Sequence, residues 1–436
     1  MVARPVLIVC AVVAVFSGGL MRWWTRPAPN GATPSSASRS ETPLERLTRR
    51  DQEASPDDAV VQGQLATEWM RLGLRTADSQ HLLRARIAAR RALMADPERV
   101  DALKVELLLL HHGHQFRDLR DAAARLTEQS PHDAFFVGVL GDAELELGRY
   151  DDAEVAYQRM MDLKPSHAAY TRVGYLRLLR GDVEGAISVL KLAATSADRE
   201  DGDAVARALC ELGDAYLALG TADTAFEYFT VALTHAPDLD RAHVGRGHVL
   251  RARGQPEAAA EEYRAAMASR PRAGHRAFLA DALAAAGHEE EARNESTRAL
   301  HDVVGEAREH ARLLLDQGGD VVLAETLARQ EMTYRQDVFT QAVLAYALVN
   351  AGKVDEARPL ADAVVGLGTK DARLDYVVGL VDAASGNRDA ARRHLDAALR
   401  GFPPLPPRVE AKARAMLESW APRAPLSTWT AGKPPP

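Results

Sequence analysis

Two periodicities and one feature of composition predict an all-α chain of stacked helix pairs. Prolines recur 34 residues apart, at Pro97, Pro131 and Pro165 and again at Pro237 and Pro271. A Gly-x-x-Asp/Glu-x-Ala marker recurs seven times, opening at Gly148, Gly181, Gly220, Gly254, Gly287, Gly352 and Gly386. Of the 436 residues, 47% are hydrophobic and 26% charged, a folding composition, yet only 6% are aromatic. The core is therefore expected to be built from Ala, Leu and Val. A fixed period of this length marks an array in which each helix pair buries its apolar face against its neighbours.

Composition also excludes several classes. Cys10 and Cys210 are the only cysteines, too few for a disulfide scaffold or a cysteine-based zinc module. A net charge of −7 argues against a nucleic-acid partner. That charge is uneven. Residues 1–50 carry a net +5 and residues 404–436 a net +3, which leaves −15 on the stretch 51–403. An acidic body of this kind is solvated and favours basic partners.

In chain order, residues 1–26 read as a signal-anchor or a signal peptide. The run 5–21 holds no charge and is flanked by Arg4 and Arg22. Seventeen residues is the lower limit for spanning a bilayer as a helix. Trp23 and Trp24 follow at the level where indoles prefer the headgroups, which favours a retained anchor. Ser17, Gly18 and Gly19 offer a cleavage site, so a removed signal and secretion form the alternative. The short basic start favours an extracytoplasmic (periplasmic) body; the positive charge after the run favours a cytoplasmic one. Export is the expectation adopted. Residues 27–56 are Pro- and Ser-rich and read as a linker, with the first helix of the body beginning near 57.

From residue 57 to 403 the chain is expected to be solenoid. Numbering each unit from its first residue, units start at Ala66, Val100, Ala134, His167, Ala206, Asp240, Ala273, Gly305, Val338 and Ala372. Position 8 is small, as in Gly73, Gly141, Gly174, Gly213, Gly247 and Gly379, so two helices can approach closely there. Position 20 is Ala in nine of ten units, and position 24 is large in Tyr157, Leu190, Phe229, Tyr263 and Leu395. Gly at position 15 ends the first helix in the left-handed conformation. Pro at position 32 stops the second. Unit two departs at Leu107 and Leu119, and unit eight at Arg312 and Glu331, which leaves the register of unit eight open. Residues 197–203 add a charged loop before unit five. Residues 404–421 contain an amphipathic capping helix with Val409, Ala413, Met416, Leu417 and Trp420 on one side. Residues 422–436 read as a disordered tail.

In these positions the chain resembles the tetratricopeptide repeat (TPR) family. The stretch 206–239 fits the family pattern at Leu209, Leu212, Gly213, Tyr216, Gly220, Ala225, Phe229, Ala232 and Pro237. The resemblance implies a right-handed superhelical solenoid of about ten helix-turn-helix units. It also implies a concave groove lined by positions 2, 5, 9, 12 and 13 of each first helix. Carried over, that groove would present Arg172, Tyr175, Arg207, Asp214, Arg241, His248, Arg251, Phe339, Tyr346, Arg373 and Tyr376, with Cys210 among them. The Lys/Asn/Arg clamp of the chaperone-binding members is absent, as Met70, Leu74, Lys104 and Leu108 illustrate.

Candidate chemistry is sparse. His111, His112 and His114 form the one metal-like cluster, at the end of a helix and without acidic or cysteine ligands at matching spacing. A polar helix end is the simpler reading. No phosphate loop, zinc-protease helix or nucleophile elbow is present. The expectation is a non-catalytic, membrane-tethered scaffold or adaptor in envelope or membrane-complex assembly. It would hold a protein or peptide in its groove and use residues 5–21 for the membrane. No cofactor, metal, nucleic acid or small-molecule substrate is expected. The alternatives are a substrate-recognition subunit beside a separate enzyme, and a metalloprotein or enzyme with its site near His111–His114.

Overall fold

The computed structural model describes residues 41–420 except 77, 198–201, 302, 304–306 and 334. The expected anchor at 5–21, the first part of the linker, the centre of the 197–203 loop and the tail lie outside the described residues. Among the described residues no helix is long and apolar enough to cross a membrane.

The described chain is all helical. A first helix, α1 (Pro43–Glu53), precedes ten antiparallel pairs. These are α2 (Ala59–Thr76) with α3 (Ser79–Ala95), α4 (Val100–His112) with α5 (Phe116–Gln129), and α6 (Ala134–Glu146) with α7 (Tyr150–Leu163). Next come α8 (His167–Arg180) with α9 (Val183–Ser196), α10 (Gly202–Ala218) with α11 (Ala222–His235), and α12 (Asp240–Ala252) with α13 (Pro256–Ser269). The series closes with α14 (Ala273–Ala285) and α15 (Glu289–His301), α16 (Ala307–Gln317) and α17 (Val321–Met332), α18 (Val338–Asn350) and α19 (Val354–Leu367), and α20 (Ala372–Ala384) and α21 (Arg388–Arg400). A last helix, α22 (Pro407–Ser419), follows. Each helix packs chiefly on those next to it in sequence, the arrangement of a solenoid.

The small-residue pattern has a direct cause. A Cβ on Gly213 would lie 2.5 Å from the Phe229 ring, and one on Gly141 2.5 Å from Tyr157. Positions 8 and 24 are therefore in contact, and the large side chain fills the space that glycine leaves. Ala153, Ala186, Ala225 and Ala259 at position 20 are fully buried beside them.

The pairs depart from the sequence reading in two places. The linker expectation is corrected at α1. Thr42 and Glu45 form a capping box, in which the Glu45 amide donates to the Thr42 hydroxyl at 3.1 Å and the Thr42 amide to the Glu45 carboxylate at 2.8 Å. Pro43 sits at the first helical position, where its missing N–H costs nothing. Leu47 is buried on the cluster that holds Leu65 and Trp69 of α2, and Arg50 bonds Glu68 at 2.7 and 2.9 Å. In unit eight the left-handed residue is Gly318, not Gly319, and the fully buried small residue is Ala311, not Arg312. One extra residue in the turn restores Ala324 to its buried place. Arg312 is thereby freed to bond Asp316 at 2.7 Å and Glu309 through two more contacts.

The solenoid winds far enough to touch itself. Arg117 donates to Gln336, and the Tyr150 hydroxyl meets Thr369 Oγ1 at 2.6 Å, both pairs 219 residues apart. The Lys370 amide donates to the Leu179 carbonyl at 2.8 Å. Phe339 of α18 packs into the cluster of Tyr150, Tyr157, Leu176 and Leu179, and Leu367 lies over Gly148. The loops before α18 and α20 thus rest on the turns of α4–α5, α6–α7 and α8–α9. His114 belongs to this seam. It holds the left-handed position that glycine occupies in the turns of the eight pairs from α6–α7 onward, at φ 55°, and is 2% exposed.

The C-terminal segment crosses the interior. Arg251 donates to the Leu405 carbonyl at 3.0 Å, Arg408 pairs with Asp281 at 3.4 Å, and Lys412 donates to the Asp316 carbonyl at 3.1 Å. Val409 and Ala413 are fully buried against the last units, with Met416, Leu417 and Trp420 packed beside them. The helix α22 packs on α21 and on α16.

Candidate peptide-binding groove

Because the superhelix closes, its concave wall is enclosed in part. A cavity of about 640 Å³ lies between α8, α10 and α12 on one side and α18, α20 and the end of α21 on the other. Its apolar wall includes Tyr175, Leu178, Val244, Phe339 and Phe402. Its polar groups include Glu211, Asp214 and Arg241. Tyr175 is 41% exposed, the most available aromatic of that wall.

The floor is charged, with Glu211 buried and Asp214 and Arg241 half-buried. Arg241 Nη2 donates to Glu211 Oε2 at 3.0 Å and to Asp214 Oδ2 at 2.5 Å, and Nη1 bonds the other Glu211 oxygen. One guanidinium therefore serves two carboxylates. Burial, opposed by Arg241 and reinforced by Glu211, pushes the Asp214 carboxyl up to about 6. Burial likewise pushes the Cys210 thiol well above its ordinary value, so Cys210 is an inert core residue and not a nucleophile. His248 shares a 2.8 Å hydrogen bond with the Tyr263 hydroxyl and packs edge-on against Phe278. Burial and Arg251 push its imidazole down to about 3, so it is neutral.

Of the eleven groove residues expected from the sequence, Tyr175, Asp214, Arg241, His248 and Phe339 line this cavity. The others do not join them. Arg172 is held by a two-pronged pair with Asp142, both contacts 2.8 Å. Arg373 is held by Asp316 at 3.0 Å through both carboxylate oxygens. Arg251 is taken by the Leu405 carbonyl. Tyr346 and Tyr376 are corrected to core residues. Each is 2% exposed, and their rings meet edge to face at 5.7 Å because α18 and α20 pack against each other. Arg207 is half-buried outside the cavity lining.

The His111–His114 segment is a packed helix end. His111 and His114 both lie against the Phe116 ring, at 5.8 and 5.6 Å. Burial first, then Arg335 and Arg308, push His114 down to about 3. Among the described residues no three His, Cys, Asp or Glu side chains are grouped to hold a metal ion.

Tetratricopeptide repeat models match residues 114–168, 139–201 and 343–406, and a further one matches 206–238. Tetratricopeptide repeats are therefore matched over these stretches of the chain. No curated protein matches it. Among solved structures the array is similar to an IFIT1 monomeric mutant with Gppp-AAAA, at 12% identity and TM-score 0.45, over 83% of this chain and 96% of that one. It is also similar to PilW, a widely conserved type IV pilus biogenesis factor, at 14% identity and TM-score 0.42, over 49% and 96%. A third is YrrB, a TPR protein with an unusual peptide-binding site, at 16% identity and TM-score 0.31, over 42% and 92%.

Sequence reasoning missed Glu211, Lys370, Arg400, Phe402 and Pro403, which also line the cavity. Glu211 sits at position 6, outside the positions taken to line the groove, and nothing in the sequence singled it out. The other four enter from unit ten and from the loops before and after it. Only closure of the superhelix brings them opposite α10, and no single repeat encodes that.

Proposed function

We propose that this tetratricopeptide array is a non-catalytic scaffold that holds a protein or peptide segment in the cavity of its concave wall. The observation that carries the reading is the cavity itself: an open space of about 640 Å³ with an apolar wall, a hydrogen-bonding floor and an exposed Tyr175. Small sites of this make-up are predominantly apolar with a few fixed polar groups. Tyrosine is enriched where binding energy concentrates. The residues of the floor hold each other in place, and none is set as a nucleophile beside a base. The work done is therefore recognition.

In the same proposal, residues 5–21 tether the array to a membrane, with the body on the extracytoplasmic side, for assembly of an envelope complex. The apolar run and the two tryptophans that follow it support this part. A photo-crosslinking residue placed at Tyr175, with the same residue at Val155 as control, tests the binding site in cells. Val155 is 71% exposed on α7, away from the cavity lining. A discrete adduct from position 175 alone supports the reading. Equal labelling from both positions removes it. Flotation of the full chain with membranes, lost on deleting residues 1–26, tests the tether.

A further inference from the structure

The structure assigns a charge to the occupant of the cavity: we propose that it takes a peptide segment through a basic side chain, Lys or Arg, seated on Glu211 and Asp214. This rests on the reading of the cavity as the binding site.

Three observations carry it. First, the floor has an excess carboxylate. Glu211 is 6% exposed and the Asp214 side chain 15%, yet both are served by the single guanidinium of Arg241. A buried charge without a full counter-charge either takes up a proton or calls for a second cation. Burial first, with Glu211 beside it and Arg241 opposing, pushes the Asp214 carboxyl up to about 6.

Second, the same groove already accepts a basic peptide segment, from this chain. Asp142, Asp214 and Asp281 occupy position 9 of units three, five and seven. Asp142 receives Arg172 of the next unit. Asp281 receives Arg408 from the segment that runs from Pro403 across the interior, and that segment is fixed further by Arg251 on the Leu405 carbonyl. Phe402 and Pro403, where the segment begins, form part of the cavity wall. An incoming peptide in the cavity therefore lies end-on to a built-in one, with its cation on the next acid of the same series.

Third, the surroundings suit a cation with an apolar stem. Tyr175, Leu178, Val244 and Phe339 line the cavity, and a lysine or arginine stem buries its methylenes on such a wall. Lys370 and Arg400 also line the cavity, but both are exposed. Exposed charges are screened by salt, whereas the buried floor is screened far less. The floor decides the sign. The −15 of the stretch 51–403 attracts the same class of partner at long range.

The test is binding of a dye-labelled capped pentapeptide, acetyl-Ala-Leu-Lys-Leu-Ala-amide, to the full chain in mild detergent, followed by anisotropy. Versions with Gln or Glu in place of Lys are run beside it. The expected order is Lys above Gln above Glu. Asp214→Asn, which keeps the shape and leaves Glu211 paired with Arg241, is expected to weaken the Lys peptide roughly 10- to 100-fold, the range for a hydrogen bond to a charged group. The Gln peptide should bind both proteins alike. If the Glu or Gln peptide binds the wild type as tightly as the Lys peptide, the charge assignment is overturned while the cavity remains the site. If the Lys peptide binds best but Asp214→Asn leaves it unchanged, the cation sits elsewhere and the assignment is again overturned. If none of the three binds, the cavity reading falls with it. The comparison of peptides on the wild type stands even if the variant fails to fold.

Discussion

Gly213 and Gly220 lie seven residues apart in one repeat and are glycines for different reasons. At Gly213 the obstacle is a side chain, because an added Cβ would meet the Phe229 ring at 2.5 Å. At Gly220 the obstacle is the backbone, because φ is 83° and nothing lies within 4 Å. Gly213→Ala should therefore cost about 1–3 kcal/mol through overpacking. Gly220→Ala should cost about 1–2 kcal/mol through the left-handed conformation alone. Urea denaturation checks both. Shrinking the ring with Phe229→Leu in the same chain should recover part of the first loss and none of the second. Equal rescue of both would refute the distinction. These positions were legible in the sequence because close packing and a left-handed turn each demand one residue type at a fixed spacing. The partners of Arg172, Arg241 and Arg373 were not. Position number tells which face an arginine occupies, but a long side chain chooses among several acids on neighbouring helices. Asp142, Glu211, Asp214 and Asp316 were within reach and took them.

At the scale of single elements, the helices of the repeats follow from local signals, and the exceptions show which signals compete. The helix α1 falls in a stretch whose prolines and serines suggest a linker. Yet Pro43 stands where a helix tolerates proline best, and Thr42 with Glu45 supplies the caps for the first amides. Thr42→Ala should cost about 1 kcal/mol of helix stability. Since α1 packs at one end of the array, the loss should appear as faster hydrogen exchange within 43–53, with exchange in α10–α13 unchanged. A uniform acceleration along the chain would contradict this. The shift in unit eight has a similar origin. Gly318 and Gly319 can both end a helix, and the sequence does not choose between them. Packing of Ala311 against its neighbours does. The helix α22 was legible as an amphipathic helix through Val409 and Ala413, but its packing on α16 as well as α21 was not, because that contact depends on how the array winds.

At the scale of the whole molecule, closure of the superhelix adds contacts that a row of nearest neighbours lacks. The seam combines apolar packing with charged groups, and Glu146 at the end of α6 is set among the charged ones. Burial and the nearby Asp337 push its carboxyl up to about 7, against Arg335 and Arg308. A carboxyl whose value is raised on folding stabilises the fold below its unfolded value near 4.5, and that contribution is lost as pH rises through 7. Glu146→Gln should therefore raise the denaturation midpoint at pH 8 and leave it nearly unchanged at pH 4. A lower midpoint at pH 8 would show that the charged form is the stabilising one. The seam itself turns on Phe339, which reaches from α18 into the cluster of Tyr150, Leu176 and Leu179. A carboxylate there would be buried without a partner, a cost of several kcal/mol that opening the seam avoids. Each repeat would keep its own neighbours, so Phe339→Asp should leave helical circular dichroism intact while the radius of gyration from small-angle scattering rises. Because α18 and α20 form one wall of the cavity, that variant should also lose peptide binding. Tyr150→Phe removes only the bond to Thr369 and should weaken the seam by about 1 kcal/mol without opening it. If Phe339→Asp stays compact and binds as before, the two arms are held by something other than this contact, and the cavity is independent of closure.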